Sequence, residues 1–395
     1  MKTTSSAPTL LRTVLAAAAL LPFLSFAGTT ESASKAVQPA AVKEKSEFDR
    51  LWSLATLYKD PSNPYVQEVR IFGRLHGNWA DEETSKGDWE GFEARRVRAG
   101  LAVKFLEGFE LRGEYRFITS NEPVAGLPGL TDANISWTID PRFKITVGKQ
   151  LPPFTDEGLI SSNELLTVER SNVANTFWLG EDNYATGVSI SGVAGPWEYY
   201  TGAFSGELNK AFSRFESGYY YVTGIGYDFK KQLNFDRALF RIDYVHNDGD
   251  PGNDAVKPFS NTVDLDVVLR KGRYGLNATI IGGSGIGAQP DVWGLDIMPT
   301  FAITKKLEFV ARYTFLDSAG PGGIKAERRY ENVVPGITGA RGDRYQAIYA
   351  GLNYYIYGHK LKLQTGVEYS ILDDSSSKDT GFNAWSFVSG VRFSF

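Results

Sequence analysis

Residues 385–395, WSFVSGVRFSF, decide how the fold is read. In an extended chain successive side chains point to opposite faces. Trp385, Phe387, Val391, Phe393 and Phe395 then share one face, and Ser386, Arg392 and Ser394 share the other. This is a half-buried strand, apolar on one side only. The same period fits a soluble β-sandwich with its apolar face turned in. It also fits a closed barrel with its apolar face turned out to lipid. The alternation by itself does not choose between them.

The pattern recurs along most of the chain. Val69, Ile71, Leu75 and Trp79 oppose Arg70, Arg74, His76 and Asn78. Val97, Ala99, Leu101, Val103 and Phe105 oppose Arg96, Arg98 and Lys104. Leu111, Tyr115 and Phe117 oppose Glu110, Arg112, Glu114 and Arg116, and Ala133 to Ile139 alternates in the same way. The alternation resumes near Thr186 and continues to the end. Turns at Asp140-Pro141, Gly195-Pro196, Lys230-Lys231, Lys271-Gly272, Thr304-Lys305 and Gly358-His359 are short. The stretches 247–260, 282–290, 317–343 and 373–383 are longer and polar. Short turns at one end and long loops at the other, over about 16 strands, characterise outer-membrane barrels.

Composition points the same way. The 395 residues include 20 Tyr, 25 Phe and 8 Trp, yet hydrophobic residues reach only 42%. A helical membrane protein is more apolar; a barrel is apolar on one face of each strand. Lys2 and Arg12, the apolar run from Leu15 to Phe23, and Ser25-Phe26-Ala27 read as a signal peptide over residues 1–27. Losing two positive charges with it takes the formal net charge of −4 further negative. Residues 28–64 read as a periplasmic linker. Within it Phe48, Leu51, Trp52 and Leu54 recur at helical spacing, as in a short amphipathic helix. Residues 65–395 read as the barrel. In lipid every backbone polar group must be paired internally, so the sheet must close. The reading is all-β: a transmembrane antiparallel β-barrel in the outer membrane of a Gram-negative-type bacterium, with lipid as its partner.

Other chemistries find little support. No cysteine is present, which removes disulfides and thiolate metal sites. His76, His246 and His359 are the sole histidines, and no spaced Ser or Asp marks any of them as part of a triad. No catalytic residue, cofactor or metal is assigned. Asp248-Gly249-Asp250 and Asp373-Asp374 lack the full spacing of a calcium loop. The Gly282, Gly283, Gly285, Gly287 run lacks the Lys-Ser/Thr of a phosphate loop. Nucleic acid is not an expected partner of so acidic a chain.

Residues 147–178, VGKQLPPFTDEGLISSNELLTVERSNVANTFW, together with ARRVRAGLAVK at 95–105, resemble the phosphate-selective porins O and P. The resemblance continues through NYATGVSISG at 183–192, WEYYTGAFSGELN at 197–209 and the hairpin GLNYYIYGHKLKLQTGVEY near the end. It implies a 16-stranded barrel, a homotrimer, an inward-folded constriction loop over Leu151 to Phe177, and uptake of small anions such as phosphate.

Parity and loop position nominate Arg96, Arg98, Arg112, Arg116, Lys149 and Arg170 as pore-lining, anion-attracting residues. A lumen ladder of Arg and Lys attracts anions. Acids share the inner face, however: Glu110, Glu114, Asp228, Asp243, Asp264, Asp266, Glu308 and Glu368, with Asp156, Glu157, Glu164 and Glu169 in the loop. A general porin is as consistent as an anion-preferring one. A non-conducting structural or adhesive barrel stays open, as does a carbohydrate-type porin using Phe72, Tyr200 and Tyr220.

Overall fold

The computed structural model describes residues 46–124, 129–177, 184–207, 212–250, 253, 258–377 and 380–395. The signal peptide, the linker up to residue 45, Trp178, Asn183 and residues 208–209 lie outside the described residues.

Sixteen antiparallel strands close into one barrel. They are β1 (Val66–Thr84), β2 (Gly87–Phe105), β3 (Phe109–Thr119), β4 (Leu130–Asp140), β5 (Phe143–Gln150), β6 (Ala185–Ala194), β7 (Trp197–Ser205) and β8 (Tyr219–Asp228). Then follow β9 (Arg237–Asn247), β10 (Phe259–Lys271), β11 (Tyr274–Gly285), β12 (Val292–Ala302), β13 (Leu307–Ser318), β14 (Arg344–Tyr357), β15 (Leu361–Asp373) and β16 (Phe382–Ser394). Each strand pairs with its sequence neighbours. The last closes on the first, with Arg74 opposite Ser394 and Thr84 opposite Ala384. Closure removes the free edges that hydrocarbon would not tolerate.

The alternation sorts the side chains as lipid and lumen require. On β16 Trp385 is 54% exposed while Arg392, inside, is 1% exposed. Aromatic rings gather at both ends of the outer face. Phe109 stacks on Trp137, Trp197 meets Tyr227, and Tyr274 meets Phe301, all beside the short turns. Trp79–Phe387, Trp293–Phe315 and Tyr369–Trp385 form a second band nearer the long loops. Two such girdles mark the membrane–water interfaces, because the rings combine an apolar body with a polar rim.

The N-terminal segment sits at the short-turn end. Helix α1 (Glu47–Ser53) starts with a capping box between Ser46 and Asp49. Its Trp52 lies 4.9 Å from Tyr357 and 5.4 Å from Phe393, ring to ring, and donates to the carbonyl of Ser394 at 2.5 Å. The strand Thr56–Lys59 then pairs with the start of β1. The amide of Gly73 binds the Phe395 carbonyl, and that of Ile71 binds the Ala55 carbonyl. The N-terminal strand therefore continues the edge where the C-terminal strand stops.

Two loops fold into the barrel. The first, between β5 and β6, carries α2 (Asp156–Leu159) and α3 (Asn172–Phe177). A one-turn helix, α4 (Lys230–Leu233), fills the turn between β8 and β9. The second inward loop, between β13 and β14, carries α5 (Arg328–Val333). The sequence reads as a long polar stretch over 317–343. In the structure Ile324, Ala326, Tyr330, Val334 and Ile337 are buried in one apolar cluster with Val173 and Phe177 of the first loop and Tyr345, Leu372 and Phe382 of the wall. These apolar residues are spaced irregularly between Gly, Pro and charged residues, so neither strand nor helix periodicity reveals them.

Candidate channel lumen and constriction

Strand register turns isolated arginines into rows. Lys362 on β15 is opposite Arg392 on β16, Arg392 is opposite His76 on β1, and His76 is opposite Arg96 on β2. One step along, Arg74 on β1 is opposite Arg98 on β2, and Arg98 is opposite Arg116 on β3. Two adjacent basic rows thus run around one side of the lumen.

The first row holds the inward loop. Arg392 donates to the Val168 carbonyl at 2.8 Å and to Asn78 Oδ1 at 2.7 Å. Lys362 donates to the Leu165 carbonyl at 2.5 Å. Arg96 meets Glu169 at 3.4 Å. Arg312 on β13 adds bonds to Thr167 Oγ1 at 3.1 Å and to the Glu169 carbonyl at 2.9 Å. Loop carbonyls have no ladder partner of their own, and buried carbonyls need a donor. Wall cations supply it here, and ionised donors make the stronger bonds.

A β-bulge adds a cation that parity had placed outside. His76 is opposite Arg96 but Gly77 is opposite Ala94, so Arg95 is an extra residue in β2. A bulge puts two residues against one and re-aims side chains. Arg95 is 5% exposed and donates to Glu169 Oε1 at 3.0 Å. With Arg96, Arg170, Arg328, Arg329, Glu93, Glu169, Glu327 and Asn175 it lines a cavity of about 20 Å³, room for roughly one water molecule.

The second row also touches the loop, through Arg74, and its Arg98 and Arg116 are buried. Arg74 donates to Glu114 at 3.0 Å and to Ser162 Oγ at 2.8 Å. Arg98 donates to the Tyr184 hydroxyl at 2.8 Å, and Arg116 completes the row. Arg112 binds Asp132 at 3.3 Å and stacks 3.9 Å over the Phe72 ring. That ring lies flat against the wall because residue 100 is glycine; a Cβ there would come within 2.4 Å of it. Lys149 sits at the end of β5, where the loop departs.

The six nominated residues therefore divide. Arg98, Arg112, Arg116 and Lys149 lie on the wall of β2 to β5. Arg96 and Arg170 engage the loop. Arg170 donates to the carbonyls of Glu157 at 3.0 Å and Ile160 at 2.8 Å, bracing α2 from within the loop. Of the aromatics considered for a sugar track, Tyr200 and Tyr220 are buried in the apolar cluster, away from Phe72.

The opposite wall is acidic. Asp243 (β9), Asp264 and Asp266 (β10) and Asp296 (β12) all face inward and are at most 6% exposed. Arg241 bridges Asp243 at 3.1 Å and Asp266 at 2.6 Å. Asp156 on α2 leans toward this wall and is pushed up to about 6, first by burial and then by the charge of Asp266. Cations thus gather on β15–β16–β1–β5 among the acids Glu82, Glu93, Glu114, Asp132 and Glu368, and aspartates gather on β9–β12 around Arg241.

Comparison with known proteins agrees with this closed, charged barrel. Residues 69–226 match the family of phosphate-selective porins O and P. That match spans 158 of the 395 residues; with the closed barrel it makes the chain an outer-membrane channel protein of porin-like fold. Among solved structures this porin is similar to OmpF of Salmonella typhi in complex with daunomycin, at 14% identity and a TM-score of 0.57, over 86% of this chain and 100% of that one. It is similar to an anion-selective porin from Comamonas acidovorans, at 14% identity and a TM-score of 0.56, over 83% and 99%. The outer-membrane channel DcaP of Acinetobacter baumannii gives 12% identity and a TM-score of 0.54, over 86% and 100%. At such identities these likenesses speak for the fold. A search of curated proteins gives no match.

Proposed function

We propose that this porin conducts small hydrophilic solutes by passive diffusion with a preference for anions, phosphate among them, and performs no catalysis. The observation that carries the reading is the cross-strand row Arg74–Arg98–Arg116. Glu114 binds Arg74 within this row, and Asp132 binds Arg112 beside it. Arg112 and Lys149 flank the row. Arginine is suited to phosphate oxygens, because its planar fork binds two of them at once. The matching family and the Comamonas porin, named as anion-selective, support the same preference. In this reading Arg98, Arg112, Arg116 and Lys149 attract the solute, while Arg96 and Arg170 set the loop that narrows the path.

A homotrimer is part of the proposal. It rests on the resemblance and on a barrel whose outer face would meet lipid and neighbouring barrels alike.

The test is the reversal potential of purified protein in a planar bilayer under a KCl gradient, followed by phosphate competition. Chloride preference with phosphate block supports the reading. Cation preference overturns it, and absence of conductance from folded protein favours a structural barrel closed by its two inward loops.

A further inference from the structure

The acidic wall poses a problem that the channel reading does not use. Asp243 and Asp264 are directly opposite one another on β9 and β10, and Asp266 lies two residues along on the same face. Their carboxylate oxygens fall within 4.8 Å of one another, and all three residues are buried. Arg241 serves two of them. It binds Asp243 and Asp266, and it also reaches Glu198 at 3.8 Å. Asp264 is 0% exposed, and neither of its oxygens has a hydrogen-bond donor. A buried carboxylate with no donor is costly enough that proteins pair it, protonate it or give it a metal.

The neighbourhood is shaped to hold oxygens close together. Residue 224, opposite Asp243 on β8, is glycine. A Cβ there would stand 2.3 Å from Asp243 Oδ1 and 2.5 Å from the Tyr200 ring. The Tyr200 hydroxyl is buried beside Asp243. Thr279 donates to Asp266 at 2.5 Å, and the amide of Thr155, at the start of α2, donates to Asp243 at 3.2 Å. The cluster therefore touches the base of the constriction loop.

We propose that Asp243, Asp264 and Asp266 bind one calcium ion. The donors are all hard oxygens, with no His or Cys, which suits calcium rather than zinc or copper. Calcium accepts such carboxylate sets in flexible geometry, whereas magnesium demands a near-ideal octahedron and tends to keep several waters. The ion offsets the charge that Arg241 leaves over and fixes the wall against which Thr155 docks. It also lowers the negative potential facing the basic rows. The inference does not depend on which solute the porin conducts.

The experiment uses the full chain, folded in detergent, equilibrated with calcium chloride or with EGTA and then passed through a desalting column. Bound metal is read by mass spectrometry, and the unfolding midpoint by heat modifiability on a gel. The wild type should retain about one calcium ion per chain more than Asp264→Asn, and its midpoint should fall when calcium is removed. The Asp264→Asn midpoint should be indifferent to EGTA. Equal calcium content in the two proteins would overturn the proposal, as would an equal rise with magnesium. If the variant does not fold, the wild type alone decides. Identical midpoints in calcium and EGTA, with a midpoint that rises on acidification instead, would mean that the carboxylates share a proton and no metal.

Discussion

The row Arg74–Arg98–Arg116 makes a quantitative prediction about selectivity. Arg98 is its middle member, opposite Arg74 on one side and Arg116 on the other. Arg98→Gln keeps most of the side-chain volume and a donor for the Tyr184 hydroxyl, now at 2.8 Å from the guanidinium, but removes the charge. A unit charge about 4 Å from a passing ion changes its energy by about 1 kcal/mol in water, and by about half that at twice the distance. The lost charge shifts anion and cation in opposite senses, so the two changes add; with a factor of ten in rate per roughly 1.4 kcal/mol, the anion-to-cation permeability ratio should fall about five- to thirtyfold. Arg116→Gln should act similarly, and Arg98→Lys should preserve the ratio. The assay is the reversal potential under a KCl gradient, repeated at low and high mean salt. Screening lengths shrink from about 30 Å at 0.01 M to about 3 Å at 1 M, so the effect must weaken as salt rises. A ratio that neither glutamine variant changes at low salt would refute the assignment of the row. So would an equal change at all salt concentrations, which would indicate a rearranged pore rather than a lost charge.

Other perturbations separate anchoring from attraction. Arg392→Met removes the charged bonds to Val168 and Asn78, about 1.5–3 kcal/mol each; the barrel should fold, while single-channel records gain noise and substates as the loop comes loose. Glu169→Gln takes the carboxylate from Arg95 and Arg96, so the permeability ratio should move toward anions, the reverse of Arg98→Gln. Trp52→Ala empties the contact with Tyr357 and Phe393, which should cost about 3–5 kcal/mol and lower the unfolding midpoint with conductance unchanged. His359, in the turn between β14 and β15, is pushed from 6.5 down to about 4, first by burial and then by Lys362. Its neutral form is the folded one, so its contribution is full above pH 6.5 and is lost as pH falls through 4. The midpoint should drop over that window, and less so in His359→Gln.

How much of this was legible in the sequence depends on the distance over which each feature is encoded. The strands were legible because a period of two is local: Trp385, Phe387, Val391, Phe393 and Phe395 declare their face within eleven residues. The number of strands followed from counting such stretches. Arg95 was not legible, because a bulge breaks parity by one residue and leaves no compositional mark. The burial of Tyr330 and Ile337 was not legible either, since their partners Phe177 and Leu372 come from other parts of the chain. The Asp243–Asp264–Asp266 cluster needed register: 243 and 264 are neighbours only because β9 and β10 pair as they do. A sign would have been the excess of inward acids on adjacent predicted strands, which the sequence reading treated as partners for arginine.

The division of labour among the lumen cations follows from a general constraint on such barrels. A loop folded into a lumen brings its backbone carbonyls away from bulk water, where each needs a donor. The wall can supply donors through side chains, and long cationic side chains reach furthest. Arg392, Lys362 and Arg312 do this with the carbonyls of Val168, Leu165 and Glu169. Such a cation is set by the loop and not by the solute. A count of inward arginines therefore overstates the charge offered to a permeating ion. What reaches the ion is a balance: the row on β1 to β3, with Arg112, Glu114 and Asp132 beside it, set against the aspartates and Arg241 of β9 to β12. Selectivity is then governed by the difference between two walls. Neutralising the acidic wall with a bound ion should raise anion preference without any change to an arginine.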